Sequence, residues 1–153
     1  DWVDVLHLDG KIQRFQRKDL KWSYRHCSGW QPGIIFRAGI SWENCPDDSI
    51  LVQVREANQI RLSKQPLDLP SCGSVFVNPA NAKAAQLIDS CGLKGYTLGG
   101  AQVSMKHANF IVNTGKASAE EIDQVIRHVQ NTVLKKTSIQ LHTEVVRMGD
   151  WNT

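Results

Sequence analysis

Two prolines divide the chain. In Gln65-Pro66-Leu67-Asp68-Leu69-Pro70 each proline lacks an amide donor and fixes its own φ, so neither a helix nor a central strand runs through the segment. The apolar pattern changes character on either side of it. The reading therefore sets a boundary at Lys64, with residues 1–63 as one region and 64–153 as another.

The second region reads as a self-sufficient unit. Ala80 to Cys91 has helical spacing, with Ala84, Leu87, Ile88 and Cys91 turned inward and Gly92 placed to end the helix. Leu98 to Val103 and Asn109 to Asn113 read as strands. Ser118-Ala119-Glu120-Glu121 is a capping box, in which the serine hydroxyl accepts from a free helix amide and Glu121 reaches back. Behind it Ile122, Val125, Ile126, Val129 and Val133 make an apolar stripe that predicts a helix to about Lys135. A last strand is expected over Ile139 to Met148. Two helices packed on an antiparallel sheet define an α+β fold.

The first region is thinner. Val3 to Leu8, a turn at Asp9-Gly10, and Lys11 to Phe15 predict a β-hairpin. Gly33 to Ile40, following Gln31-Pro32, predicts another strand. Asp47-Asp48-Ser49 offers an N-cap, after which Ile50, Leu51, Val54, Ala57 and Ile60 share one helical face. These few elements make a poor domain alone, and are expected to close something larger.

Charge excludes one class of partner. Eighteen basic against fifteen acidic residues leave a net charge of +3 in 153 residues, and the basic ones are spread along the chain. A nucleic-acid binder would gather them into a stripe with aromatics between. No apolar run is long enough to span a bilayer. The first residues have neither the basic stretch nor the apolar run of a retained secretion signal. Cys27, Cys45, Cys72 and Cys91 form no C-x-x-C pair, so reduced thiols and a cytoplasmic location are expected.

Three places could carry chemistry. Gly73 in Ser71-Cys72-Gly73-Ser74 permits a positive φ or a close backbone approach, and would present the Ser74 hydroxyl at a loop. Read by pattern alone, a Gly-Ser pair is more often a simple turn. No base stands at a telling spacing, and the G-x-S-x-G elbow is missing, so a hydrolase reading has little support. Arg25, in Ser23-Tyr24-Arg25-His26, offers a planar donor fork to a carboxylate or phosphate, against the plainer reading of a solvated loop arginine. Glu144 sits in an alternating stretch, where a glutamate usually faces water or pairs with a neighbour such as Arg147. Among five histidines, His107 lies in a polar stretch between strands and is the best candidate for ligand contact, whereas His7 and His128 read as surface residues.

In order and spacing, a set of blocks resembles a known family. They are Lys64 to Pro70, Gly73-Ser74-Val75-Phe76-Val77-Asn78-Pro79, Gly92 to Tyr96, Gly99 to Ser104, Lys106-His107-Ala108-Asn109-Phe110-Ile111-Val112-Asn113 and Glu144 to Arg147, preceded by Tyr24-Arg25. Together they resemble the MurB-type UDP-N-acetylenolpyruvoylglucosamine reductases, the UDP-N-acetylmuramate dehydrogenases of bacterial peptidoglycan synthesis.

The resemblance implies an FAD-dependent enzyme that uses NADPH to reduce the enolpyruvyl ether of UDP-N-acetylglucosamine to a lactyl ether. It implies that residues 1–63 are the last strands and helix of an FAD-binding domain, and that 64–153 are the substrate-binding domain. The flavin-cradling residues would then lie upstream, leaving this piece inactive by itself. Carried over position by position, Arg25 stands at the carboxylate-anchoring arginine, Ser74 at the proton donor and Glu144 at a glutamate near the same group. Lys64, Asn78 and His107 stand at substrate contacts, with Lys64 a phosphate partner, and Tyr24 would order the carboxylate site. The sequence departs from the family pattern at Cys27, Cys72, Val77 and Met105, which touches substrate affinity more than reaction type. The whole protein is expected to be a monomer, and this piece to self-associate through exposed strand edges. The alternative from a different class is a non-catalytic module that binds a UDP-sugar or a protein partner.

Overall fold

A computed structural model describes residues 1–31, 33–43, 47 and 49–149. It is α+β, and its compact units are residues 1–47 and 48–153.

In the first unit β1 (Trp2–Leu6), β2 (Ile12–Gln16) and β5 (Ile34–Gly39) form an antiparallel sheet in the order β2-β1-β5. The expected hairpin closes through His7, whose amide donates to the Lys11 carbonyl at 2.9 Å, with Gly10 at φ +80° in the turn. Period-two alternation sends Val5 and Phe15 to one face, where they pack with Leu20 in a small core. Asp4 lies between Arg14 and Arg37 on its two neighbouring strands. Its buried carboxylate takes Nε and Nη2 of Arg14 at 2.7 and 2.9 Å and Nη2 of Arg37 at 2.8 Å. The Arg14 hydrogen bonds outweigh burial and hold the Asp4 carboxyl below its ordinary range. A short 3-10 turn (Arg17–Asp19) leads into a second hairpin, β3 (Lys21–Ser23) with β4 (His26–Ser28). Pro32 and Cys45, named in the sequence reading, lie outside the described residues.

The second unit opens with α1 (Ile50–Lys64). The helix expected from Ile50, Leu51, Val54, Ala57 and Ile60 forms, but its apolar residues are not gathered on one face and every residue is exposed. Ser49 stands at its N-cap position, its hydroxyl accepting from Gln53 Nε2 at 2.7 Å, while Asp48 is outside the described residues. Then come β6 (Ser71–Ser74), α2 (Ala84–Ser90), β7 (Thr97–Leu98), β8 (Ala101–Val103), β9 (Phe110–Asn113) and α3 (Ala119–Thr137). The antiparallel sheet has the order β6-β9-β8-β7. Val75, Phe76, Val103, Ile111 and Leu141 share one core with Ala84 and Ile88 of α2 and with Val125, Ile126, Val129 and Val133 of α3.

The α3 capping box is present as read. Ser118 Oγ accepts from the Glu121 amide at 3.1 Å, and Glu121 Oε2 accepts from the Ser118 amide at 3.0 Å. The same oxygen accepts from Gly100 at 3.2 Å, tying the helix start to the β7–β8 turn. That turn corrects one expectation: Leu98 to Val103 is not one strand but two, because Gly99, at φ +55°, reverses the chain against the Glu121 carboxylate. The helix expected from Ala80 begins only at Ala84, where Asn78 Oδ1 accepts the Ala84 amide at 3.0 Å and a turn at Pro79–Ala82 precedes it. The last expected strand, Ile139 to Met148, is reduced to a single antiparallel bridge between Phe76 and Thr143. The facing stretch is the irregular chain after β6, which pairs for only one step.

Candidate active site

Ser74 ends β6, and its neighbours explain its presentation. Ser71 pairs with Val112 and Ser74 with Phe110, but the register shifts between them. Gly73 absorbs the bulge at φ +82°, with open space where a Cβ would stand, so its conformation rather than crowding demands glycine. Val75 and Phe76 follow, buried at 0% and 2% exposure, and anchor the strand end from beneath.

Asn109 holds this anchor. Its Oδ1 accepts the Phe76 amide at 2.9 Å and its Nδ2 donates to the Phe76 carbonyl at 2.9 Å, while its own carbonyl accepts the Val75 amide at 2.9 Å. Asn109 lies within the Lys106–Asn113 block, and an asparagine directly ahead of an apolar strand is the signal that points to it. Glu144 reaches the same place from the carboxyl end. Its amide donates to the Val75 carbonyl at 2.8 Å, and the Val77 amide donates to the His142 carbonyl at 2.9 Å. The Arg147 guanidinium binds Asp123 of α3, with Nε 2.6 Å from Oδ1.

His107 lies just before β9. Its ring stands edge-on to Phe110, the Ser74 partner, at 4.8 Å between centroids. Ser104 Oγ accepts the Lys106 and His107 amides at 3.1 and 3.3 Å, which shapes the loop. Burial first, and the Lys94 charge after it, push the imidazole pKa below its ordinary value. The ring is therefore neutral at pH 7. With Nδ1 accepting the Asn109 amide at 3.3 Å, the proton sits on Nε2, as a donor. Lys64 closes α1, whose last turn is tied to this loop by Lys106 Nζ on the Leu62 carbonyl at 2.7 Å. Asn78 is exposed beyond Val77, its side-chain oxygen accepting the Ala84 amide of α2.

Ser74 and His107 thus both meet Phe110, and the Glu144 backbone lies on Val75, the residue after Ser74. Tyr24 and Arg25 belong to the first unit, where they form the two-residue turn between β3 and β4. Arg25 adopts φ +58°, a left-handed conformation that costs a non-glycine residue about 1 kcal/mol, and its guanidinium carbon stands 5.6 Å from the Tyr24 ring centroid. Strain of this kind concentrates at working sites.

Among the described residues no group of three His, Cys, Asp or Glu side chains could hold a metal ion, and no helix is long and apolar enough to cross a membrane. Cys27, Cys72 and Cys91 are thiols. No described strand passes into a helix through a glycine-rich turn of the kind that wraps a pyrophosphate.

Comparison with known proteins decides the family. Residues 65–148 match the family model for the UDP-N-acetylenolpyruvoylglucosamine reductase C-terminal domain. The chain belongs to this reductase family. A UDP-N-acetylenolpyruvoylglucosamine reductase of Pediococcus pentosaceus is 43% identical over 149 residues, covering 97% of this chain and 50% of that protein. Its counterpart in Limosilactobacillus reuteri is 45% identical over 146 residues, covering 95% and 49%. The crystal structure of the UDP-N-acetylenolpyruvylglucosamine reductase of Thermus caldophilus superposes with a TM-score of 0.77 at 32% identity, over 94% of this chain and 50% of that one. The chain spans about half the length of the reductases it matches.

Proposed function

We propose that this chain is the carboxyl-terminal part of a UDP-N-acetylenolpyruvoylglucosamine reductase, acting in the cytoplasm in peptidoglycan synthesis. What carries the reading is the match over residues 65–148 together with identity above 40% along nearly the whole chain. Residues 1–63 end the flavin-binding domain and 64–153 form the substrate domain. FAD, held mostly by residues upstream of this chain and reduced by NADPH, supplies hydride when bound.

The substrate's own chemistry assigns the roles. Hydride addition to a double bond conjugated with a carboxylate drives negative charge into that carboxylate. A guanidinium aimed at it binds the transition state more tightly than the ground state, which is the role of Arg25. Tyr24 keeps the guanidinium in place through its ring. The adjacent carbon of the enolate then takes a proton. An alcohol is a weak acid in water, but the enolate is a strong base, and a hydroxyl held at the end of β6 is positioned for the transfer. Ser74 is that donor.

Glu144 stands beside it, working through a water or in its protonated form, since a bare carboxylate next to a developing anion would repel it. Lys64 pairs with the diphosphate, and the neutral His107 and the Asn78 amide donate hydrogen bonds to the substrate.

Turnover of the complete protein tests the assignment. NADPH oxidation should depend on the enolpyruvyl UDP-sugar, and the product should carry the added hydride and proton. NADPH oxidation that ignores the UDP-sugar would remove the reading.

A further inference from the structure

Residues 145–149 form no regular element, and Val146 and Met148 are 84% and 86% exposed. Val145 packs only partly on the core. Beside the segment lies an open cavity of about 230 Å³, lined by Cys72, Ile122, Ile126, Val145 and Met148, so apolar packing does not fix it on that side.

A charge does. Asp123, on the buried face of α3 and 6% exposed, receives Arg127 Nε from the next turn of its own helix at 2.6 Å and Arg147 Nε at 2.6 Å. An acid on the inward stripe of a helix needs such partners to be buried at all. Arg127 alone would complete a helix pair at i, i+4 spacing. The second guanidinium comes from the segment that follows Glu144, and converts a helix ion pair into a tether across the cavity. Among the contacts of the stretch carrying Glu144 are the Glu144 amide on Val75 and the Arg147 guanidinium on Asp123.

We propose that Asp123 is a positioning residue for Glu144, acting through Arg147. The inference rests on the reading of Glu144 as part of the reductase site. In the complete protein, Asp123→Ala should lower kcat roughly 10- to 100-fold, the scale of a misplaced active-site group, while KM stays within about twofold. Arg147→Met, which leaves the Asp123–Arg127 pair intact, should give the same loss if Asp123→Ala folds poorly. Asp123→Glu should recover part of the rate. In a Glu144→Gln background, neither Asp123→Ala nor Arg147→Met should lower kcat further. If Glu144→Gln itself leaves kcat unchanged, the assignment of Glu144 fails, and this inference with it. If Glu144→Gln is slow but Arg147→Met keeps full kcat, or multiplies the loss in the double variant, the positioning role alone is overturned.

Discussion

Replacing Asn109 separates what the strand end needs for folding from what it does in chemistry. Its side-chain amide satisfies both the N–H and the C=O of Phe76, a residue 2% exposed. Asn109→Ala strands both groups, each at about 1–3 kcal/mol, so the loss should be about 2–6 kcal/mol, the low end applying if a water enters the gap. Against a domain stability of about 5–15 kcal/mol this is a large fraction. Asn109→Asp is the sharper variant. It can still accept from the Phe76 amide, but its second oxygen then faces the Phe76 carbonyl, which disfavours the charged form and raises the folded-state pKa above the unfolded value of about 3.9. A raised folded pKa means stability that is intact below the unfolded value and lost as pH climbs through the folded one. Urea unfolding should therefore show Asn109→Asp close to the parent below pH about 4 and falling behind towards pH 7. The reasoning is refuted if Asn109→Ala costs less than about 0.5 kcal/mol, or if the aspartate penalty does not change with pH.

Other consequences are as direct. The amides of Ser118 and Gly100 hold the Glu121 carboxyl below its ordinary value against the opposing effect of burial, so its stabilisation is present above the unfolded pKa and lost as pH falls through the folded one. Glu121→Gln should flatten that acid limb in thermal melts, and an unaltered limb would count against the capping role. Arg25→Gly releases the left-handed strain and should leave stability within about 1 kcal/mol. Turnover of the complete protein should nevertheless fall at least about 100-fold; a loss of folding without a loss of rate would make the arginine structural. Strands β2 and β5 are edges of their sheet among the described residues, and β5 exposes Ile34, Ile35 and Phe36. Hydrogen exchange on this chain alone should show weaker protection in β5 than in β9, or protection that rises with concentration; equally strong protection in a dilute monomer would argue against open edges.

What could be read from the sequence followed local rules. The α3 helix was legible because its capping box and apolar stripe agree with each other. The hairpin at Asp9-Gly10 was legible because the turn chemistry and the alternation agree. The final strand was misread because Leu141, Thr143 and Val145 alternate like strand residues, whereas pairing depends on a distant partner that offers a single step at Phe76. The α2 start was misplaced because its first amide is satisfied by Asn78, several residues upstream and across a turn. The α1 helix was legible but its apolar face was not borne out, because Val52 and Leu62 spread the apolar residues around it, and its exposure depends on what surrounds a helix.

The site divides in the same way. Gly73-Ser74, Arg25 and Glu144 stood out by resemblance, because their chemistry is carried in short motifs. Asn109 and Asp123 did not, because an asparagine bridging a backbone and an aspartate gathering two arginines declare themselves only when elements 24 or 33 residues apart meet.

The central claim, that the Ser74 hydroxyl gives the proton that completes reduction, is met most directly by rapid-mixing kinetics on the complete protein. In Ser74→Ala, reduction of the bound flavin by NADPH should proceed at the parent rate, while its reoxidation by the enolpyruvyl UDP-sugar should slow by roughly 100-fold or more. Reoxidation at the parent rate would contradict the account.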